Sequence, residues 1–366
     1  MATLDQLTAQ LDRLAAFEAG PFPVVSLYLN TQPDQNGRDH FEPFLRKELT
    51  ERVRTYPASG PERESLDKDT ARIREYVSSI EASANGIAVF ACAGARLFET
   101  VELAAPVPEH RMFISDLPHL YPLARLVDEY PRYAAVVADT NSARIFVFAA
   151  NTVERSQQID GTKTRRHKMG GWSQPRYQRH VENFHLQHAK DIADTLARIV
   201  RNDRITSVVV AGDEVITPLL SEQFSKEVAE RVIDIVKLDI RAPQREIFEK
   251  TIAALRQKDS ETDREKVEAL IGAYRANGLG VVGYEDTKAA LELGQVEELI
   301  ITAAASAIDA GEHHAGDVQP DRTAEERAAD ELIAGARQTA ARIRFIEDRS
   351  LLEAVGGVGA LLRFKV

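Results

Sequence analysis

One cysteine is all that the 366-residue sequence contains, so an intramolecular disulfide is excluded. Long apolar runs are missing too, since no segment reaches about 18 consecutive apolar residues, the rough minimum for a membrane-spanning helix. Segment 1–14 lacks the unbroken apolar stretch of a signal peptide, and no Gly-x-x-x-x-Gly-Lys sequence is present to hold a nucleotide. We therefore expect a cytoplasmic protein with no membrane segment, no cofactor and no nucleotide hydrolysis of its own.

The charge balance is acidic, with 57 Asp and Glu against 46 Lys and Arg and a net charge of −11. Such a surface does not coat nucleic acid indiscriminately, because attraction to phosphates needs clustered cations. Hydrophobic residues make up 44% of the chain, an ordinary globular composition, and the length predicts two or three domains. Any contact with RNA is therefore expected to be local.

Strand and helix patterns alternate along the chain, which predicts an α/β protein. Three domains are expected, at 1–129, 130–241 and 242–366. The first is predicted to hold an amphipathic helix over 4–17, a strand over 24–29, charged helices over 41–56 and after Pro61, and strands over 86–91 and 96–103. Prolines then mark its exit.

The second segment predicts a β-hairpin, formed by 133–138 and 144–149 around the turn residues 139–142. A polar loop over 160–175, a long helix over 177–201, a strand over 205–211 and a helix ending near Val236 follow. The third segment predicts two charged helices split at 258–261, strands over 280–283 and 298–302, and a helix ending at Leu293. Segment 311–326 is polar without periodicity and is predicted to be a mobile insertion.

The loop of the second segment concentrates positive charge. Between positions 163 and 179 there is no acid, and the candidate RNA-binding side chains are Lys163, Arg165, Arg166, His167, Lys168, Arg176 and Arg179. Each Lys or Arg can neutralise one phosphate and release a counterion. A solvated loop kept out of the core by its charge is the alternative.

Two glycines at the centre of this loop, Gly170 and Gly171, change the balance toward a binding function. Paired glycines allow positive φ and let the backbone approach a ligand closely. Ser173 can cap the helix that follows, with Pro175 in its first turn. The amino end of a helix offers free amide hydrogens to a phosphate or to a developing oxyanion.

The loop and two later motifs resemble a known family. The run Gly-Gly-Trp-Ser-Gln-Pro-Arg-Tyr at 170–177 resembles the Gly-Gly-Gln-Ser-x-x-Arg-Phe segment of class-one release factors and Vms-type peptidyl-tRNA hydrolases. Segments 283–300 and 356–364 resemble the kink-turn-binding-protein-like third domain of that superfamily, which includes Pelota. The N-terminal segment resembles the superfamily's bacterial branch and lacks the Asn-Ile-Lys-Ser codon-reading motif. The resemblance therefore implies a three-domain, release-factor-like α/β fold without stop-codon decoding.

The resemblance also implies a site at the ribosome. The loop tip of the family enters the peptidyl-transferase centre and places a water beside the ester of peptidyl-tRNA. By this implication the catalytic candidates are Gly170, Gly171, Trp172, Ser173 and Gln174, and the partners are rRNA, the tRNA acceptor end and a translational GTPase. Trp172 stands where the family has glutamine: it keeps the backbone amide and loses the carboxamide. Its indole either stacks on a nucleobase or anchors the loop.

Two ribosomal functions and one other class follow. The first is peptidyl-tRNA hydrolysis in ribosome rescue or quality control, with the loop supplying positioning and no side-chain base. The second is non-catalytic occupation of the A site, resembling Balon-type hibernation factors. The third is a metal or small-molecule enzyme on the same fold, since His180, His185 and His188 lie on or beside the long helix. His185 and His188 share one helix face, and a metal site would need Glu182 or Asp191 as its third ligand. The expectation there is no metal, with His188 satisfied and partly buried against the apolar stripe and His185 solvated.

Overall fold

A computed structural model describes residues 1–33, 41–80, 84–161, 174–310 and 322–365, with the side chains of 174–180 left out. The chain divides into two compact units, one of residues 1–130 with 262–366 and one of residues 131–261. The predicted domain boundaries near 129 and 241 stay predictions. No helix among the described residues is long and apolar enough to span a bilayer.

The N-terminal segment of the first unit contains four helices and four strands. They are α1 (Leu4–Ala15), β1 (Val24–Asn30), α2 (Phe41–Val53), α3 (Pro61–Ser79), β2 (Gly86–Cys92), β3 (Leu97–Leu103), β4 (Arg111–Ser115) and α4 (Tyr121–Glu129). The strands form an antiparallel sheet in the order β3-β2-β1-β4. Apolar residues of β1 and β2 alternate toward α2 and α3, where Leu49, Leu66 and Ile73 complete the core.

A buried carboxyl group joins α3 to the turn after β2. Asp69 is 1% exposed, and its Oδ2 accepts the Ala93 amide at 3.0 Å and the Ser65 hydroxyl at 3.4 Å. The Ser65 hydroxyl in turn accepts the Gly94 amide at 2.9 Å. Burial raises the pKa of Asp69 to about 6, because desolvation disfavours the charged form. The adjacent Cys92 is fully buried, and burial raises the pKa of its thiol.

The C-terminal segment of the first unit carries a second four-stranded sheet. Its elements after the long helix α8 (Gln244–Arg275) are β10 (Gly280–Val282), α9 (Tyr284–Glu292), β11 (Val296–Thr302), α10 (Ala324–Gln338), β12 (Arg342–Ile346) and β13 (Val358–Leu362). The sheet order is β10-β13-β11-β12, with β11 and β12 parallel. A capping box begins α10, since Thr323 and Glu326 each bond the other's backbone amide.

The N- and C-terminal segments meet at α4 and α10. The Asp330 carboxylate of α10 accepts the backbone amides of Leu120 and Tyr121, each at 2.8 Å, and so caps the start of α4. Tyr121 donates its hydroxyl to the Thr302 carbonyl at 2.9 Å. Asp330 is 3% exposed, so these bonds are shielded from water. Charge-assisted bonds from a buried carboxylate are among the stronger ones in proteins.

The second unit is built on a five-stranded mixed sheet. Its elements are β5 (Tyr133–Ala138), β6 (Ser142–Ala149), β7 (Thr152–Asp160), α5 (Gln174–Asn202), β8 (Val208–Gly212), α6 (Ile216–Gln223), α7 (Lys226–Ala229), β9 (Val232–Val236) and the first half of α8. The order is β7-β6-β5-β8-β9, antiparallel from β7 to β5 and parallel from β5 to β9.

Helices cover both faces of this sheet. Val136, Ile145 and Val147 point to the face under α5 and α6. On the other face Tyr133 bonds the Thr251 hydroxyl of α8 at 2.9 Å, and the rings of Phe148 and Phe248 are 5.2 Å apart. The alternation of side chains along β5 and β6 therefore supplies two apolar layers.

The α/β class is confirmed, with one sheet in each predicted segment, and so is the hairpin of β5 and β6. Several element predictions were wrong. The charged stretch 258–261 does not split a helix, because α8 runs through it with pairs such as Lys258 to Glu261 on its surface. The helix expected to end near Val236 is two short helices and the edge strand β9. Of the predicted insertion, 311–321 lies outside the described residues and 324–326 begin α10.

Candidate functional site

Most of the predicted site lies outside the described residues. These positions are Lys163, Arg165, Arg166, His167, Lys168, Gly170, Gly171, Trp172 and Ser173. Gln174, Arg176 and Arg179 belong to the first turns of α5, with side chains outside the description. The structure does describe both ends of the loop, at the end of β7 and at the start of α5.

A close backbone contact fixes the point where the chain leaves the sheet. The Gly161 amide donates to the Asn141 carbonyl at 2.7 Å. A Cβ on Gly161 would lie 2.8 Å from that carbonyl oxygen and 3.0 Å from Cζ of Phe184. Only glycine therefore allows this approach. Sequence reasoning did not single out Gly161, although a glycine directly after a strand is a signal for such a contact.

The β5–β6 turn that receives Gly161 is itself held by a side chain. Asp139 Oδ1 accepts the amides of Asn141 and Ser142, both at 2.7 Å, and the Ser142 hydroxyl at 3.2 Å. An Asx-type turn of this kind holds the Asn141 carbonyl in place. The first end of the loop is thus positioned by the turn, by Gly161 and by α5, whose Phe184 lies close to Gly161.

The second end of the loop is the amino terminus of a 29-residue helix, α5. Its buried stripe, Ala189, Ile192, Leu196 and Ile199, packs on the sheet. Among its described side chains, Val181, Phe184 and His185 are partly buried, and full burial begins at His188. No acidic residue lies in the first turn, so the positive end of the helix dipole is not neutralised there. This end favours an anion.

His188 lies on α5, further along the helix from the end that joins the loop, and is 2% exposed. Its ring is nearly parallel to that of Phe184, at an angle of 12° and a centroid distance of 6.5 Å. Neither ring nitrogen has a hydrogen-bond partner among the described residues. The prediction that His188 is satisfied and partly buried was therefore wrong, because the stripe that buries it offers no acceptor or donor. His185, expected to be solvated, is half-buried and packs edge-to-face on Phe184.

Replacing His188 with leucine is expected to raise the free energy of unfolding by about 1 kcal/mol, because it removes a buried polar group that lacks a partner. Urea unfolding followed by circular dichroism measures the change. His185→Leu, one turn away and half-buried, is the matched control and is expected to stay within about 0.5 kcal/mol of wild type. A loss of stability in His188→Leu would mean that a ligand or an ordered water satisfies the ring.

The residues that the structure describes contain no cluster for the metal hypothesis. No three of their His, Cys, Asp or Glu side chains are placed to hold an ion. The side chain of His180 lies outside that part of the chain. The ring of His188 is buried and lies nearly parallel to that of Phe184.

Two family models match consecutive segments of the chain. Segment 118–256 matches the family described as bacterial archaeo-eukaryotic release factor family 10, and segment 262–366 matches eRF1 domain 3. The chain is 22% identical over 268 residues to peptide chain release factor subunit 1 of Aeropyrum pernix, covering 70% of this chain and 66% of the archaeal factor. It is 26% identical over 300 residues to an uncharacterized protein of Mycobacterium tuberculosis, covering 79% and 77%.

Among solved structures, one described as ribosome-bound archaeal Pelota and ABCE1 is similar over 100% of this chain and 95% of its own, at 15% identity and a TM-score of 0.42. The loop described above lies inside the first matched segment, and the second sheet of the first unit lies inside the second. With two family matches in consecutive order, the chain belongs to the bacterial branch of the archaeal and eukaryotic release factor superfamily.

Proposed function

We propose that this protein binds the ribosome, enters the A site and places the Gly170–Gly171 loop at the acceptor end of tRNA in ribosome rescue or quality control. The observation that carries the proposal is the match of 118–256 to a release factor family, since this segment contains the loop and the start of α5, with six Lys and Arg and no acid between positions 163 and 179. A cytoplasmic location and a translational GTPase partner go with it. The three predicted domains would then divide these tasks.

The geometry at the loop's two ends supports a role at a phosphate-rich site. At one end Gly161 brings the chain within hydrogen-bond distance of a turn that Asp139 holds in place. At the other, α5 presents an amino terminus without acids in its first turn. A helix start and clustered cations both attract anions, and the rest of the acidic surface does not.

The reaction proposed is hydrolysis of the peptidyl-tRNA ester. Glycines at 170 and 171 let the backbone approach the ester, and the amide of residue 172 remains available to a developing oxyanion. A water supplies the hydroxyl that ends on the peptide, and its proton ends on the ribose oxygen of the tRNA. No side-chain base is assigned, so positioning would supply the acceleration.

A second candidate function rests on Trp172, which replaces the glutamine side chain of the family motif. In this alternative the protein occupies the A site without chemistry, as a hibernation or stress factor. The indole would then stack on a nucleobase and add affinity. The two candidates share ribosome binding and differ in peptide release.

Purified protein mixed with stalled ribosomes carrying labelled peptidyl-tRNA is expected to co-sediment and to release peptide. In Gly171→Ala, release is expected to fall about 100-fold, because a displaced loop tip misplaces the water. Gly272→Ala is the matched control, since a Cβ on this α8 glycine would have no neighbour within 4 Å.

The outcomes separate the candidates. Binding that weakens steeply with salt, together with release that depends on Gly171, supports hydrolysis. Binding without release supports the A-site occupant. Absence of both overturns the ribosomal proposal.

A further inference from the structure

A cavity with a volume of about 550 Å³ lies in the first unit, beside α4. Residues of the N-terminal sheet, α4 and the segment after β11 line it, including Leu103, Leu126 and Ala303. It shares no residue with the loop site. Pockets of this volume accommodate small organic ligands, which are held by apolar walls and a few polar groups.

The buried polar side chains that line this cavity include Tyr28, Tyr121 and His119. His119 lines it although the residue is only 1% exposed. The His119 amide donates to the Ser26 hydroxyl at 3.0 Å, and its carbonyl accepts the Tyr28 hydroxyl at 2.6 Å. Nδ1 lies 2.6 Å from Oδ2 of Asp330. Among the described residues no hydrogen bond uses Nε2, so this atom is left for a ligand.

The surroundings of Asp330 assign the tautomer of His119. Arg322 is 3.0 Å from the same carboxylate oxygen, and two backbone amides donate to the other. A carboxylate oxygen 2.6 Å from Nδ1 is placed to accept that nitrogen's N–H, so the proton of a neutral imidazole ring lies on Nδ1. Nε2 then carries a lone pair and acts as an acceptor. The ligand must therefore donate a hydrogen bond.

The charges of the lining disfavour an anion. Arg111 pairs with Glu326 at 3.1 Å, and Arg125 pairs with Glu347 at 3.1 Å. Both guanidinium groups lining the cavity are thus paired with a carboxylate, and Nε of Arg125 has no hydrogen-bond partner among the described residues. Glu109 and Glu129 add two further carboxylates to the lining. A phosphate or carboxylate would meet a net negative rim.

The walls favour a flat, largely apolar body. Leu103, Val107, Leu123 and Leu126 supply aliphatic surface, and Tyr130 supplies an aromatic ring. Three prolines of the lining, at 106, 108 and 122, add rings without backbone donors. Such walls pack against a heteroaromatic ring and leave its polar edge to His119.

We propose that this cavity binds a heteroaromatic amine of nucleobase size, with its amino group donating to Nε2 of His119 and its ring between the apolar walls. Asp330 is the positioning residue, since it sets the tautomer that accepts this bond. The site is independent of the ribosomal loop.

Adenosine is the probe, titrated by isothermal calorimetry into the full-length protein. Saturable binding with one site per chain is expected. Inosine, in which a carbonyl replaces the amino group, is expected to bind at least about tenfold more weakly, because it cannot donate to Nε2 from that position. Adenosine monophosphate is expected to bind no more tightly than adenosine, because its phosphate meets the acidic rim.

Leu126→Trp fills the cavity from α4 without touching the polar network, and it is expected to weaken adenosine binding at least about tenfold. Leu293→Trp is the matched control, because Leu293 is 64% exposed and does not line the cavity. Thermal melting verifies that both variants fold. Equal binding of adenosine and inosine, tighter binding of the monophosphate, or no saturable binding of adenosine to the wild-type protein would each overturn the proposal.

Discussion

Replacing Asp330 with alanine is expected to lower the free energy of unfolding by about 3 to 5 kcal/mol. The carboxylate is 3% exposed, accepts hydrogen bonds from two backbone amides, lies 2.6 Å from Nδ1 of His119 and forms an ion pair with Arg322. Arg322 is itself 6% exposed, so removal of Asp330 leaves a buried guanidinium without its counterion. Unpaired buried donors lose both the bond and their hydration.

Urea unfolding monitored by circular dichroism measures this loss. Asp194→Ala is the control, since Asp194 is exposed on α5, and it is expected to change stability by no more than about 0.5 kcal/mol. A loss below about 1 kcal/mol in Asp330→Ala would contradict the network described here, because it would mean that water replaces the carboxylate. Adenosine binding to this variant, if it folds, is also expected to weaken.

The second large effect is a pH dependence that arises from Asp69. Its folded-state pKa is raised to about 6 by burial, while the unfolded pKa is about 3.9. Between these values the folded state binds the proton more tightly, so Asp69 favours folding below about pH 4. That contribution is lost as pH rises through 6. The difference amounts to roughly 2 to 3 kcal/mol.

Asp69→Asn keeps an acceptor for the Ala93 amide and removes the titration. Compared with this variant, wild type is expected to lose stability between pH 4 and pH 7, as measured by urea midpoints at each pH. Asp67→Asn, on the same helix and 57% exposed in its side chain, is the control and should follow wild type. Parallel curves for wild type and Asp69→Asn would show that the pKa of Asp69 is not raised.

Local patterns in the sequence were sufficient for many elements. The apolar spacing of α1 and the alternation around the turn of β5 and β6 each predicted the observed element. The strand β7 was missed because it is polar and lies at a sheet edge, where only one side needs apolar residues. The split of α8 was wrong because a charged stretch suits the exposed side of a continuous helix.

Some features of the candidate sites follow from neighbouring residues in the sequence, and others depend on residues that are far apart in it. The basic loop and its glycines are contiguous and could be read directly, although their arrangement stays a prediction. His119 and Asp330 are 211 positions apart, and no local pattern indicates that they touch. The contact of Gly161 with Asn141 is intermediate. A glycine directly after a strand indicates a close contact, but the sequence does not indicate that Asn141 is its partner.

The enclosed thiol of Cys92 has a practical consequence for studies of this protein. The side chain is fully buried, and a raised pKa keeps it protonated near neutral pH. Maleimide and iodoacetamide react with accessible thiolates, so native Cys92 should resist labelling. One cysteine introduced on the surface would then carry a single fluorophore without prior removal of the natural one. Movements of the chain in the proposed complex with the ribosome could therefore be followed by energy transfer in an otherwise unaltered sequence.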